Sequence, residues 1–214
     1  RKLEELKSLP SLGFTSAKEA LAEKFHMSEA LLAALNAGKH FDRVGETITV
    51  TATANARPKP HAVTRLEIDK TRETVKAFAA DGQLVAFFPA TVGSTEKPTP
   101  SGSLKVVSNH RNPHYRYNPE YQFKGVKSRK PFTIKPGPNS PVGTIWIGLS
   151  GGEGYGIHGT AEPSRVSKSG SHGCVRLTNW DAERLSAAVK KGMPVDFVDV
   201  PAAASGGKQG VAAR

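Results

Sequence analysis

Asp81-Gly82 is the dipeptide that most limits how this chain can fold. Asp-Gly between alternating apolar runs is a strong hairpin signal, because the tight turn needs backbone conformations that Asp and Gly tolerate. On its two sides stand "TVKAFAA" and "QLVAFFPATVG". "VTRLEI", "GSLKVVS", "GTIWIGL" and "PVDFVDV" read as further strands. The chain from Ala62 onward is therefore expected to be mainly β. One helix interrupts it, "TNWDAERLSAAVKKG", with Thr178 and Asp181 as the capping pair. Lys190 and Lys191 are expected at its negative C-terminal end, before Gly192. Between the strands, Asn109 to Pro141 reads as a long irregular loop carrying His110, His114, Tyr115, Tyr117 and Tyr121. Loops of that length in compact domains are often lids or binding loops.

The first third has a different texture. Ser16 with Glu19 three residues on forms a capping box, and Leu21 and Phe25 make an i, i+4 apolar pair. A second helix follows Ser28 and stops before Gly38, and "ETITVTA" reads as a strand. Residues 1–54 are thus expected to form a small α+β unit. The proline-bearing "NARPKPH", residues 55–61, is the linker to a domain spanning 62–200, and 201–214 reads as a disordered tail.

No run approaches the roughly 18 apolar residues of a membrane span. The formal charge of +11 calls for anionic partners, either nucleic acid or an acidic envelope polymer. The basic residues are scattered and form no nucleic-acid motif, so charge alone does not choose. The chain begins at Arg1 without methionine and is read as a trimmed piece whose targeting segment is not shown.

Cys174 is the only cysteine, which excludes an internal disulfide framework and any multi-cysteine metal site. A lone thiol is ordinarily a small buried hydrophobe. The polar, glycine-dense flanks of "SKSGSHGCVRL" argue against that reading. His158, in "GYGIHGT", is a candidate base that can take the thiol proton or hold a thiolate–imidazolium pair. A backbone carbonyl could orient it. Gly173 would let N–H groups turn toward an oxyanion, and Arg176, two residues past the thiol, could bind a carboxylate. Zinc on His158, His172 and Cys174 is the competing reading, but it lacks an obvious fourth ligand.

"YGIHGT", twelve intervening residues and "SHGCVRL" resemble the signature of the L,D-transpeptidase catalytic domain of the YkuD type. "FFPATVGSTEKPTPSGSLKV" and "PGPNSPVGTIWIGLS" resemble further family segments in the family's order, so the likeness covers roughly Ala62 to Val200. It implies a β-sandwich-like domain of two packed mixed sheets with one prominent helix alongside. It also implies peptidoglycan stem peptides as substrate and no cofactor or metal. By this resemblance Cys174 is the nucleophile, His158 the base and the Gly159 carbonyl its orienting acceptor. Some family members carry serine at the position of Gly159. The backbone at His172 and Gly173 goes to the oxyanion site. Arg176, Tyr155 and Ser171 go to substrate binding, and His172 is read as a supporting or substrate-contacting group. The reaction implied is attack on the third residue of a tetrapeptide stem with loss of D-alanine. Transfer to an amine then makes a 3-3 cross-link. Water as acceptor would make a carboxypeptidase, and an envelope-protein amine would make a tethering enzyme. A non-catalytic wall-binding protein is the reading from another class. The first third resembles a LysM-like module on "LAEKFHMSEALLAALN" and "GKHFDRVGETITV", which implies contact with glycan strands. The setting implied is the periplasm or cell envelope.

Overall fold

Asp81-Gly82 turns the chain as expected. β2 (Thr74–Phe78) and β3 (Leu84–Pro89) pair antiparallel around it, and Gly82 takes φ +82°. Asp81 caps the turn by accepting from the Gln83 amide at 3.0 Å. This computed structural model describes residues 3–52, 62–93, 99–121, 126–152, 154–168 and 173–199. The linker at 55–61, Ser171, His172 and the tail at 201–214 lie outside the described residues.

The hairpin begins an eight-stranded sheet. β1 (Arg65–Asp69) pairs antiparallel with β2 and parallel with β10 (Pro194–Val198). Beyond β10 come β4 (Gly102–Arg111), β7 (Ile145–Leu149), β8 (Gly156–His158) and β9 (Val175–Arg176). The sheet is mixed, since β8 and β9 are also parallel. The two sheets implied by the resemblance are joined here at β4. Its first residues, Gly102 to Lys105, pair with β10, while Val106 to Arg111 pair with β7. A register shift lies between Val106 and Ser108, and such irregularities bend a strand and increase its twist. The sheet curls so that Leu66, Ile68 and Val75 from one half share a core cluster with Ile147, Ile157 and Val175 from the other. Each fully buried side chain of this kind contributes about 1.5–3 kcal/mol.

α4 (Asn179–Ala188) packs on β7 and β8, and its buried Ala182 and Leu185 join the same cluster. Thr178 caps it, accepting from the Asp181 amide at 3.3 Å and donating to the Asp181 carboxylate at 2.8 Å. The helix is shorter than expected, leaving Lys190 and Lys191 beyond its last turn. Val189 is already extended, because Gly192 and Met193 are drawn onto the β4 backbone at Val106 by bonds of 2.8 and 2.9 Å.

The expected loop at 109–141 is partly regular. β4 runs on to Arg111, and β5 (Tyr115–Tyr117) pairs antiparallel with β6 (Phe132–Ile134) as a separate small sheet. Tyr117 stacks on Phe132 with ring centroids 4.7 Å apart. The stretch is proline-rich, but its tyrosines pair across strands, which sequence alone did not place.

The N-terminal unit holds a short α1 (Leu3–Leu6), α2 (Ala17–Lys24) and α3 (Glu29–Leu35). Ser16 and Ser28 cap α2 and α3, accepting from the Glu19 and Leu31 amides at 3.0 and 3.1 Å. "ETITVTA" forms no strand, contrary to expectation. The buried Asn36 side chain substitutes for a partner strand, donating to the Thr49 carbonyl at 2.8 Å and accepting from the Thr49 amide at 2.6 Å. Ile48 and Val50 still pack on Ala22, Met27 and Leu32, so the alternation is real although the ladder is not. The unit docks on the larger one. Leu12 donates to the Pro136 carbonyl at 3.2 Å and accepts from the Asn139 amide at 3.0 Å, and His26 stacks on Trp180.

Candidate active site

Register places the site. β8 and β9 pair Ile157 with Val175 and His158 with Arg176, and Ile157 and Val175 are fully buried in the core. Side chains alternate across a strand, so His158, Arg176 and, one step before β9, Cys174 project to the opposite face. Continuing the register one residue back sets Cys174 beside Gly156. A Cβ at Gly156 would stand 2.7 Å from the Trp146 ring, so glycine there is what lets that indole lie where it does.

Trp146 on β7 is the antiparallel partner of His158 and stacks on its imidazole, centroids 5.5 Å apart and planes 18° apart. Only 4% of His158 is exposed. Its Nδ1 lies 2.6 Å from the Gly159 carbonyl oxygen. A carbonyl only accepts, so Nδ1 carries the proton and Nε2 is left as the basic nitrogen. Burial, reinforced by the Arg176 charge and opposed by the Gly159 carbonyl, lowers the imidazole pKa to about 4.

Cys174 is half-buried, and its Sγ donates to the Gly154 carbonyl at 2.9 Å. Burial pushes the thiol up to about 11, against the opposing pull of Arg176 and of a backbone hydrogen bond from Gly156. Near neutral pH the resting site therefore holds a neutral thiol and a neutral imidazole, of the two states left open by sequence. Arg176 is itself lowered, chiefly by burial, with the charges of Cys174 and Glu162 acting the other way. An arginine stays charged at neutral pH all the same. Its backbone is pinned to Thr91 by two reciprocal bonds of 2.9 Å. A small hollow beside it is lined by Thr91, Thr160, Glu162, Arg165, Val166 and Arg176. Tyr115, from the segment at 109–141, stands close enough to act on the Arg176 charge.

Gly173 takes φ +102°, a conformation open mainly to glycine. Gly159 lies against the Asn179 side-chain amide so closely that any Cβ would overlap its oxygen. Tyr155 packs against the core cluster and over Gly152, which places it on the Ile157 side of the strand and not with His158. Ser171 and His172 are outside the described residues, and among those residues no three His, Cys, Asp or Glu side chains form a metal-sized group. Trp146 and Asn179 were not singled out from sequence, and Tyr115 was named only among the aromatic residues of the long loop. Trp146 was legible only as a strand residue, since its contact with His158 depends on cross-strand register.

The sequence profile of the L,D-transpeptidase catalytic domain (YkuD) matches residues 63–197. A Bacillus licheniformis relative bearing the name L,D-transpeptidase YkuD is 27% identical over 181 residues, covering 84% of this chain and 92% of that protein. The Escherichia coli K12 relative named L,D-transpeptidase YbiS is 32% identical over 126 residues, 56% of this chain and 40% of its own length. Among solved structures, L,D-transpeptidase 3 from Mycobacterium tuberculosis is 22% identical with a TM-score of 0.49, over 64% of this chain and 61% of that one. The chain thus spans nearly all of the first relative but less than two thirds of the other two. With the family profile matched across most of its length, this chain belongs to the L,D-transpeptidase catalytic domain (YkuD) family.

Proposed function

We propose that this enzyme is a peptidoglycan L,D-transpeptidase working through a Cys174 thioester. His158 Nε2 takes the Cys174 proton as sulfur attacks the carbonyl of the third stem residue. The oxyanion that forms is met by backbone N–H groups at His172, Gly173 and Cys174. Collapse breaks the bond to D-alanine, and the imidazolium returns its proton to the leaving amine. An amine from a second stem then attacks the thioester and gives its proton to His158. The new amide forms the 3-3 cross-link as the thiol is restored. Arg176 binds a substrate carboxylate, with Ser171 contributing to the donor site. The setting is the cell envelope, where the +11 charge has an anionic polymer to face. Contact of the N-terminal unit with glycan strands belongs to the same reading. Among the described residues no helix is long and apolar enough to cross a membrane.

The observation that carries this reading is the 2.6 Å contact of His158 Nδ1 with the Gly159 carbonyl. It leaves Nε2 basic on the strand face that Cys174 shares. A base fixed in this tautomer on the same strand face as a neutral thiol suits proton transfer coupled to attack better than a preformed ion pair.

The test is intact-protein mass spectrometry after mixing with a disaccharide-tetrapeptide, alongside Cys174→Ala. The expected result is an adduct on the parent chain only, released D-alanine, and dimeric muropeptide. Tripeptide without dimer would identify a carboxypeptidase instead. A dimer-free adduct resolved only by a protein amine would identify a tethering enzyme. No adduct on a folded protein would overturn the reading in favour of wall binding.

A further inference from the structure

The N-terminal unit places one acidic side chain, Glu23 of α2, against the larger unit at an unusual point. Glu23 is 9% exposed, and among the described residues no lysine, arginine or histidine forms an ion pair with it. Both carboxylate oxygens accept from the Asn179 side-chain nitrogen, at 3.1 and 3.0 Å. The charges that act on it are also acidic, Glu19 on its own helix and Glu183 on α4. A buried carboxylate without a cation is costly, so a surface that needed only packing would do better with an apolar residue.

What the carboxylate holds explains its place. The buried Asn179 amide is fully engaged: its nitrogen also donates to the Pro138 carbonyl at 3.1 Å, and its oxygen accepts from the Thr144 and Thr160 amides at 3.2 Å each. The Thr160 N–H and the Gly159 C=O belong to one peptide group. In a planar trans peptide those two bonds point in opposite directions. Asn179 therefore grips one edge of the peptide whose other edge holds His158 Nδ1. In its ionised form the Glu23 carboxylate only accepts, and with both oxygens turned to the Asn179 nitrogen it sets the nitrogen end of that amide toward itself and the oxygen end toward Thr160.

We infer that Glu23 is a positioning residue for His158, acting through the Asn179 amide and the Gly159–Thr160 peptide, so that the N-terminal unit forms part of the machinery that orients the base. The inference rests on His158 being the base of the proposed reaction, and its structural half can be tested without substrate.

The variants are Glu23→Ala and Glu23→Gln in the full chain, with thermal unfolding as the check on folding. Nitrogen-15 NMR of the imidazole reads the His158 tautomer directly. Parent protein should show Nδ1–H alone. Glu23→Ala should show mixed tautomers, and Glu23→Gln, which keeps an acceptor oxygen, should restore the single form. With the tetrapeptide donor, Glu23→Ala should slow adduct formation about tenfold with KM within twofold of the parent, and Glu23→Gln should recover most of that loss. A parent-like tautomer and rate in folded Glu23→Ala would overturn the inference. So would a Glu23→Gln variant as impaired as Glu23→Ala. If parent protein forms no adduct, the transpeptidase reading fails separately, while the tautomer comparison still decides the role of Glu23.

Discussion

Trp146 stacks on the His158 imidazole from the neighbouring strand with planes 18° apart, covering one face of a base that is only 4% exposed. Trp146→Ala should admit water and let the imidazole pKa rise from about 4 toward its ordinary 6.5. The acid limb of the acylation profile should move up with it, readable by NMR titration of the ring. Truncating a half-buried tryptophan should also cost about 2 kcal/mol of stability in urea unfolding.

The thiol, at about 11, should react slowly with iodoacetamide at pH 7, at least roughly tenfold below an ordinary cysteine. The rate should keep climbing above pH 9. Arg176 lowers both the thiol and the imidazole. Arg176→Met should therefore slow alkylation further at pH 9 and raise the His158 midpoint. Opposite shifts of the two groups would contradict this account of their electrostatics.

Glu23 carries a testable pH dependence of stability. Burial, with the Glu19 and Glu183 charges, raises it from 4.5 to about 7 against the opposing Asn179 bond. The folded state thus holds a proton that the unfolded chain releases. The stability this provides is complete below about pH 4.5 and is lost as pH rises through about 7. Glu23→Gln removes that dependence. Measured against parent protein, the variant should gain up to about 3 kcal/mol in urea unfolding on going from pH 4 to pH 8.

Gly159 can be tested against Asn179. A Cβ at Gly159 would overlap the Asn179 amide oxygen. Gly159→Ser should destabilise the protein by about 2 kcal/mol or more and slow acylation. The double variant Gly159→Ser with Asn179→Ala should lose less than the sum of the two single changes. Full additivity would show that the two residues do not share the space.

The parts of the fold legible in sequence were those written locally. Asp81-Gly82, the Thr178–Asp181 cap and the strands of the larger unit all depend on residues within a few positions of one another. What was not legible depends on pairing at a distance. "ETITVTA" has the alternation of a strand, and only the fold shows that the Asn36 amide occupies the position of a partner. The tyrosines at 115 and 117 look like loop residues until β6 arrives beside them. At the site, Cys174 and His158 stood out because reactive groups in glycine-rich settings are chemically conspicuous. Trp146, Asn179 and Glu23 did not, since nothing in their neighbours distinguishes an ordinary strand, helix-start or helix residue from one that holds a base. Tyr155 was assigned to the pocket from proximity in sequence, and strand alternation sends it toward the core.

β10 lies between β1 and β4, although it is the last strand to be made. While the ribosome is still adding residues before Pro194, β1 and β4 each have an open edge, and the strand that joins the two halves there is missing, although Thr91 and Arg176 can already bridge their far edges. Completion waits for five residues to emerge and insert between strands synthesised about 90 and 130 residues earlier, a long-range closure of the slow kind. Until then the nascent chain has unpaired β edges of the kind that invite aggregation, so a chaperone that shields extended segments would have its window here.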